Sequence, residues 1–194
     1  MNPLYPSLVN LQQRLSKAGI ASAVIGGVAV SVWARPRATE DVDFKVLLER
    51  DAAQRLLDVL KPDYTALQSN PLQALQRNGV IFVRDQNGVR IDLQLADVDF
   101  DRSAIQRARS IELESGLSAQ VCTAEDLIIY KLISTRPLDQ IDVENIVRRQ
   151  ADKLDDKYVL HWLRQFEQAL DDSTLIKTYQ RLRQNPAKAS TPHL

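Results

Sequence analysis

Asn87-Gly88 stands between two alternating apolar runs, Val80-Ile81-Phe82-Val83 and Val89-Arg90-Ile91-Asp92-Leu93-Gln94-Leu95, and no other feature narrows the fold as much. An Asn-Gly pair accepts the positive φ angles of a tight hairpin turn, so the two runs are predicted to pair antiparallel in one sheet. Strand side chains alternate between faces. Ile91, Leu93 and Leu95 therefore point to a core, and Asp92 lies on the polar face of its strand.

Around this hairpin, helical and strand patterns alternate. Leu8, Leu11 and Leu15 recur at helical spacing across Ser7 to Ala18, and Gly19 ends that segment. Ala21 to Ile25 is a short apolar run stopping at Gly26-Gly27, and a second apolar stretch follows from Val28 to Trp33. Val42 to Leu48 reads as a strand with a helix from Asp51 to Leu60 behind it, and short strands are expected near Ile111 to Leu113 and Leu117 to Val121. Thr123-Ala124-Glu125-Asp126 has the cap and acidic first turn of a helix start. Helical patterns then run through Leu132, Ile141 to Arg149, Lys157 to Leu170 and Thr174 to Arg183, and the tail from Asn185 is expected to fray. The predicted class is α+β: a small mixed β-sheet flanked by helices over residues 1–122, followed by a C-terminal helical bundle over 123–194 packed on it.

Composition removes several classes. No run approaches the length of a membrane span, and the start Met1-Asn2-Pro3 has neither the basic nor the apolar part of a secretory signal. The single Cys122 cannot form an internal disulfide, and a cytoplasmic location is expected. Lys and Arg balance Asp and Glu at 25 each, so charge argues neither for nor against a nucleic-acid partner. His161 and His193 have no Cys or Glu at zinc spacing. Cys122 reads as a buried structural residue in preference to a reactive thiol.

Asp41-Val42-Asp43-Phe44 places two carboxylates at i and i+2 of a predicted strand, on the face opposite Val42, Phe44 and Val46. Asp41, Asp43 and Asp92 brought together on one open face would repel one another unless cations sat between them. Mg²⁺ takes oxygen ligands and keeps positions for water and phosphate, which suits two-metal phosphoryl or nucleotidyl transfer. Asp-apolar-Asp is common by chance, and the chain holds similar sets at Asp97-Val98-Asp99-Phe100 and Asp142-Val143-Glu144. Only the first follows a glycine pair. Gly26-Gly27 ends a strand and opens a helix, a bend where backbone N–H groups can approach phosphate.

Ile25-Gly26-Gly27, a short helix and Asp41-Val42-Asp43-Phe44 together resemble the signature of the nucleotidyltransferase superfamily typified by DNA polymerase beta. Arg37-Ala38-Thr39-Glu40-Asp41-Val42-Asp43 and the later Lys131, Arg136, Asp139 and Asp142 are similar to motifs of the small bacterial AbiEii-toxin-like branch, and the resemblance spans about residues 8 to 149. Gly27 departs from the Ser often found in polymerase-like members. The resemblance implies two Mg²⁺ ions (or Mn²⁺) on Asp41, Asp43 and Asp92, with Asp92 also helping to deprotonate an acceptor hydroxyl. It implies β- and γ-phosphate contacts from Gly26 and Gly27, further nucleotide contacts from Arg37 and Thr39, and a point charge from Lys131. Arg37 reads equally well as a partner of Glu40, and Arg136 with Asp139 and Asp142 reads slightly better as a helix-surface salt-bridge set.

The expected activity is transfer of NMP, from ATP or another NTP, to an acceptor hydroxyl on tRNA, protein or a small molecule, with pyrophosphate released. A toxin-like role with a neighbouring antitoxin is implied by the same resemblance. The alternatives are an inactive nucleotide-binding or regulatory module of the same fold, and a metal-dependent phosphohydrolase.

Overall fold

Leu8, Leu11 and Leu15 are all fully buried on the first helix, α1 (Leu4–Lys17), where the leucine spacing predicted an apolar stripe. The computed structural model describes residues 3–114, 116–134 and 136–184. The expected fraying from Asn185 and the position of His193 lie outside the described residues. After α1 come β1 (Ser22–Ile25), α2 (Gly26–Trp33), β2 (Asp41–Val46) and a 3-10 turn leading into α3 (Ala53–Leu60). Then follow β3 (Tyr64–Ala66), α4 (Pro71–Asn78), β4 (Val80–Asp85), β5 (Arg90–Leu95), α5 (Asp99–Arg107), β6 (Arg109–Glu114) and β7 (Leu117–Val121). The last four helices are α6 (Ala124–Leu132), α7 (Pro137–Gln150), α8 (Asp156–Leu170) and α9 (Leu175–Gln184).

The chain divides into two compact units. One takes the chain up to Ala29 with Arg37–Thr123, and the other takes Val30–Pro36 with the chain from Ala124 onward. The first holds a seven-stranded mixed sheet in the order β3-β4-β5-β2-β1-β7-β6. The expected hairpin forms. β4 and β5 pair antiparallel, and the Asp85 carboxylate accepts from the N–H groups of Asn87 and Val89, each at 2.9 Å, to close the turn. β5 then lies parallel to β2 over its full length, while β1 pairs antiparallel with β2. β1 and β7 are parallel and meet in register only at Val24 and Val121. Gln12 of α1 bridges the gap beside them, its amide donating to the Gln120 carbonyl at 3.1 Å and accepting from the Gln120 N–H at 2.7 Å. A side chain thus supplies ladder bonds that the diverging strands do not make.

Val42, Phe44 and Val46 are fully buried, as are Ile91 and Leu93, whereas Asp41, Asp43 and Lys45 on the other face of β2 are half-buried. On that second face, α5 covers the C-terminal half of β2. Asp101 of α5 pairs with Lys45 at 3.1 Å, and Ile105 packs on Ala23. The N-terminal half of β2, with Asp41 and Asp43, is left to the carboxylate face.

β3 and α4 form where the sequence patterns suggested no element. α4 nevertheless carries local signals: Asn70 caps it, accepting from the Gln73 N–H at 3.1 Å, Pro71 opens it, and Gly79 closes it in the left-handed conformation. β3 is a three-residue edge strand, too short to show a period.

The second unit is helical. Ile128, Val143, Ile146, Val159 and Leu163 are fully buried, and α6 packs on α7 and α8 while α9 packs on α7 and α8. The end of α2 belongs to this unit, with the Gln150 amide donating to the Trp33 carbonyl at 2.7 Å. Among the described residues no helix is long and apolar enough to cross a membrane.

Candidate active site

The parallel register of β2 and β5 sets Asp43 directly beside Asp92, and Asp41 beside Arg90. Residues paired across adjacent strands share a face, so Asp41, Asp43 and Asp92 stand on one side of the sheet, opposite the apolar core residues of both strands. Ile25, the last residue of β1, pairs with Asp43 from the other flank. The glycine bend therefore follows immediately beside the carboxylates.

Gly26 adopts φ +63°, and a Cβ there would lie 1.9 Å from Oδ2 of Asp43. Only glycine lets the chain turn this closely over the acid. Gly26→Ala is expected to lower stability by about 1–2 kcal/mol from the left-handed backbone alone, and further because Asp43 must move. Urea unfolding would show a lower midpoint at constant slope; an unchanged midpoint would contradict this geometry. At Gly27 a Cβ would lie 2.5 Å from Oγ1 of Thr39. The Thr39 hydroxyl occupies the space that a serine side chain at position 27 would need, which gives a physical reason for this chain's departure from the polymerase-like pattern. That hydroxyl donates to Oδ1 of Asp41 at 3.1 Å. Arg37 is half-buried in the loop that leads into Thr39.

Sequence reasoning passed over Arg90. Its Nε and Nη2 donate to the two oxygens of Asp92 at 2.8 and 2.9 Å, a bidentate pair, and its guanidinium lies 4.7 Å from the ring centre of Phe82. The pKa of Arg90 is raised, first by the Asp92 hydrogen bonds and then by the negative charge of Asp92, Asp41 and Asp43, against an opposing effect of burial. The missed signal was the i, i+2 spacing of Arg90 and Asp92, the same rule that linked Asp41 to Asp43. The Asp92 side chain is nearly buried, and both of its oxygens are engaged. Among the described residues no three carboxylate, imidazole or thiolate side chains are gathered tightly enough to hold a metal ion. The donors are nonetheless the hard oxygens that Mg²⁺ prefers, from three acids on one face.

The similar sets have other uses. Asp97 is gripped by Arg50 at 2.9 and 2.6 Å, and Asp99 lies exposed in the first turn of α5. Lys131, Asp139 and Asp142 form a network within the second unit. The Lys131 ammonium, 5% exposed, contacts the Asp139 carboxylate and stands 2.9 Å from Asp142, while Ser134 and Arg136 bond Asp139 at 2.5 and 2.8 Å. Asp139 and Asp142 are 1% and 2% exposed. They are therefore not the surface set that i, i+3 spacing suggested: α7 turns both acids inward onto Lys131 of α6, and only Arg136 remains at the surface. Burial pushes the Asp139 carboxyl upward, but the bonds from Lys131, Ser134 and Arg136 outweigh it and hold its pKa below the ordinary value. Cys122 is fully buried, as expected of a structural residue.

Solved structures share this fold. An antigenic nucleotidyltransferase-like protein from Paracoccidioides brasiliensis aligns at TM-score 0.52 and 18% identity, covering 91% of this chain and 93% of its own. The antibiotic-resistance factor ANT(2'')-Ia aligns at TM-score 0.54 and 14% identity, covering 87% and 97%. The lincosamide antibiotic adenylyltransferase LnuA, solved with lincomycin bound, aligns at TM-score 0.51 and 10% identity, covering 73% and 94%. No curated protein matches the sequence. The family described as nucleotidyl transferase AbiEii toxin, type IV TA system, matches residues 11–156, a span that takes in the glycine bend, all three sheet carboxylates and the Lys131 network. The chain belongs to the AbiEii nucleotidyltransferase family.

Proposed function

We propose that this chain transfers NMP from an NTP to an acceptor hydroxyl in a metal-dependent reaction and releases pyrophosphate. The observation that carries the reading is the in-register pair Asp43 and Asp92 on adjacent parallel strands, with Asp41 on the same face and the Gly26 bend over Asp43. Two bound Mg²⁺ (or Mn²⁺) ions would supply positive charge to the attacking and leaving oxygens. Asp41, Asp43 and Asp92 would hold them. Gly26 and Gly27 would turn the backbone toward the β- and γ-phosphates, and Thr39, which lies against Gly27, and Arg37 would steady the triphosphate. The acceptor oxygen bonds to the α-phosphorus, the bond from the α-phosphorus to the bridging oxygen breaks, and the acceptor proton passes to the Asp92 carboxylate. The nucleotide contact assigned to Lys131 belongs to the same proposal, its ammonium already paired with Asp139 and Asp142.

Membership of a toxin family brings in a toxin role and a neighbouring antitoxin as part of this reading. For the acceptor, LnuA is an adenylyltransferase of lincosamides, so small hydroxyl compounds stand beside tRNA and protein. The test is incubation with each α-labelled NTP and Mg²⁺ or Mn²⁺, in turn with tRNA, protein and small-molecule fractions. One fraction should acquire label from a preferred NTP as pyrophosphate appears. If no NTP labels any fraction, the reading as an enzyme fails and a nucleotide-binding module of the same fold takes its place.

A further inference from the structure

We infer that Arg90 is a built-in counter-cation of the acid set: it holds Asp92 in a metal-free arrangement, and a divalent ion enters only as Arg90 gives up at least one Asp92 oxygen. This rests on the metal reading of Asp41, Asp43 and Asp92 above. Two features carry it. Arg90 engages both oxygens of Asp92 at 2.8 and 2.9 Å, so a cation meets that carboxylate already occupied by a bidentate donor. The strand register places Arg90 beside Asp41, one pair away from Asp43 and Asp92, so its charge acts on the whole set.

Arg90 is also equipped to move. Its side chain is 42% exposed while that of Asp92 is 12%, so the guanidinium can swing toward solvent without uncovering a core. Phe82, which pairs with Asp92 across β4 and β5, offers its ring as a resting surface for the guanidinium. With Arg90 in place the three acids and one guanidinium sum to −2; without it they stand at −3. Arg90 therefore weakens metal binding to the nucleotide-free protein, and an incoming metal-bound triphosphate brings both the cation that replaces Arg90 at Asp92 and the phosphate oxygens that can receive its guanidinium. Arg90 acts through Asp92 as a positioning residue.

The experiment is a Mn²⁺ titration of the full chain at low salt without nucleotide, following the spin-resonance signal of free Mn²⁺, with circular dichroism to check folding. Arg90→Gln should bind Mn²⁺ about tenfold more tightly than the wild type, the size of one unit charge acting on a divalent ion across roughly 6 Å of water-like dielectric. Arg90→Lys keeps the charge and should stay close to wild type. A residue that merely supported the strand would give the opposite sign, weaker binding on removal. Equal or weaker binding by Arg90→Gln, with Asp43→Asn losing the ion, would overturn the role of Arg90 and leave the metal site standing. If wild type and variants alike bind no Mn²⁺, or Asp43→Asn binds as wild type does, the metal site and this inference fall together.

Discussion

Asp43→Asn is expected to cut nucleotidyl transfer by at least about a hundredfold, and toward a thousandfold, the scale on which a group stabilising transition-state charge is missed. The amide has nearly the volume of the carboxylate, so β2 keeps its packing between Ile25 and Asp92. What is lost is one negative charge at the centre of the set. Stability should hold or rise slightly, because like charges facing each other across strands oppose pairing. Thermal unfolding of the variant beside single-turnover transfer of a labelled nucleotide separates the two effects. Full activity in Asp43→Asn would remove the metal assignment; lost activity with a lowered unfolding temperature would mean that the strand, not the chemistry, had failed.

Lys131→Met should destabilise the protein toward the lower end of about 3–5 kcal/mol, the cost of breaking a buried ion pair, because Asp139 keeps its bonds from Ser134 and Arg136. The Lys131 ammonium touches both Asp139 and Asp142, and both acids are almost wholly buried. The pH dependence has a definite sign. In the wild type the Asp139 pKa is held low, so its contribution is complete above the ordinary carboxylate range and is lost as pH falls through the folded value. In Lys131→Met, Asp139 keeps its bonds from Ser134 and Arg136 but loses the ammonium, so burial weighs more heavily against its charged form and acid relieves part of the cost. The gap between variant and wild type should therefore be widest near neutral pH and narrow as the solution is acidified. Adding Asp139→Asn and Asp142→Asn to Lys131→Met should recover part of the loss. Equal unfolding midpoints for Lys131→Met and wild type at neutral pH would show that the network does not hold α6 to α7.

Much of the carboxylate face was legible from residue order. The period-two rule put Asp41 and Asp43 on one face, and the same rule turned Asp92 away from Ile91 and Leu93. Asn87-Gly88 announced the hairpin that carries Asp92. The element most clearly unread was α4, although Asn70, Pro71 and Gly79 mark both its ends, because its apolar content is too thin to show a period. Asp139 and Asp142 misled for a different reason. An i, i+3 pair of acids near an Arg fits a solvated helix face and a buried network equally well, and only the packing of α7 on α6 separates them.

Residue order by itself determined which side chains alternate, where the chain can bend and which strands a tight turn joins, since those depend on backbone geometry within a few residues. It left open which strands from distant stretches become neighbours and at what register. The parallel pairing of β2 with β5 brings Asp43 to Asp92 across 49 positions of sequence, and it rests on burying the apolar face of both strands at once. The same pairing put Arg90 among the acids. Whether three carboxylates stand ready for a cation or already hold an internal one is decided by contacts that exist only after the sheet has assembled.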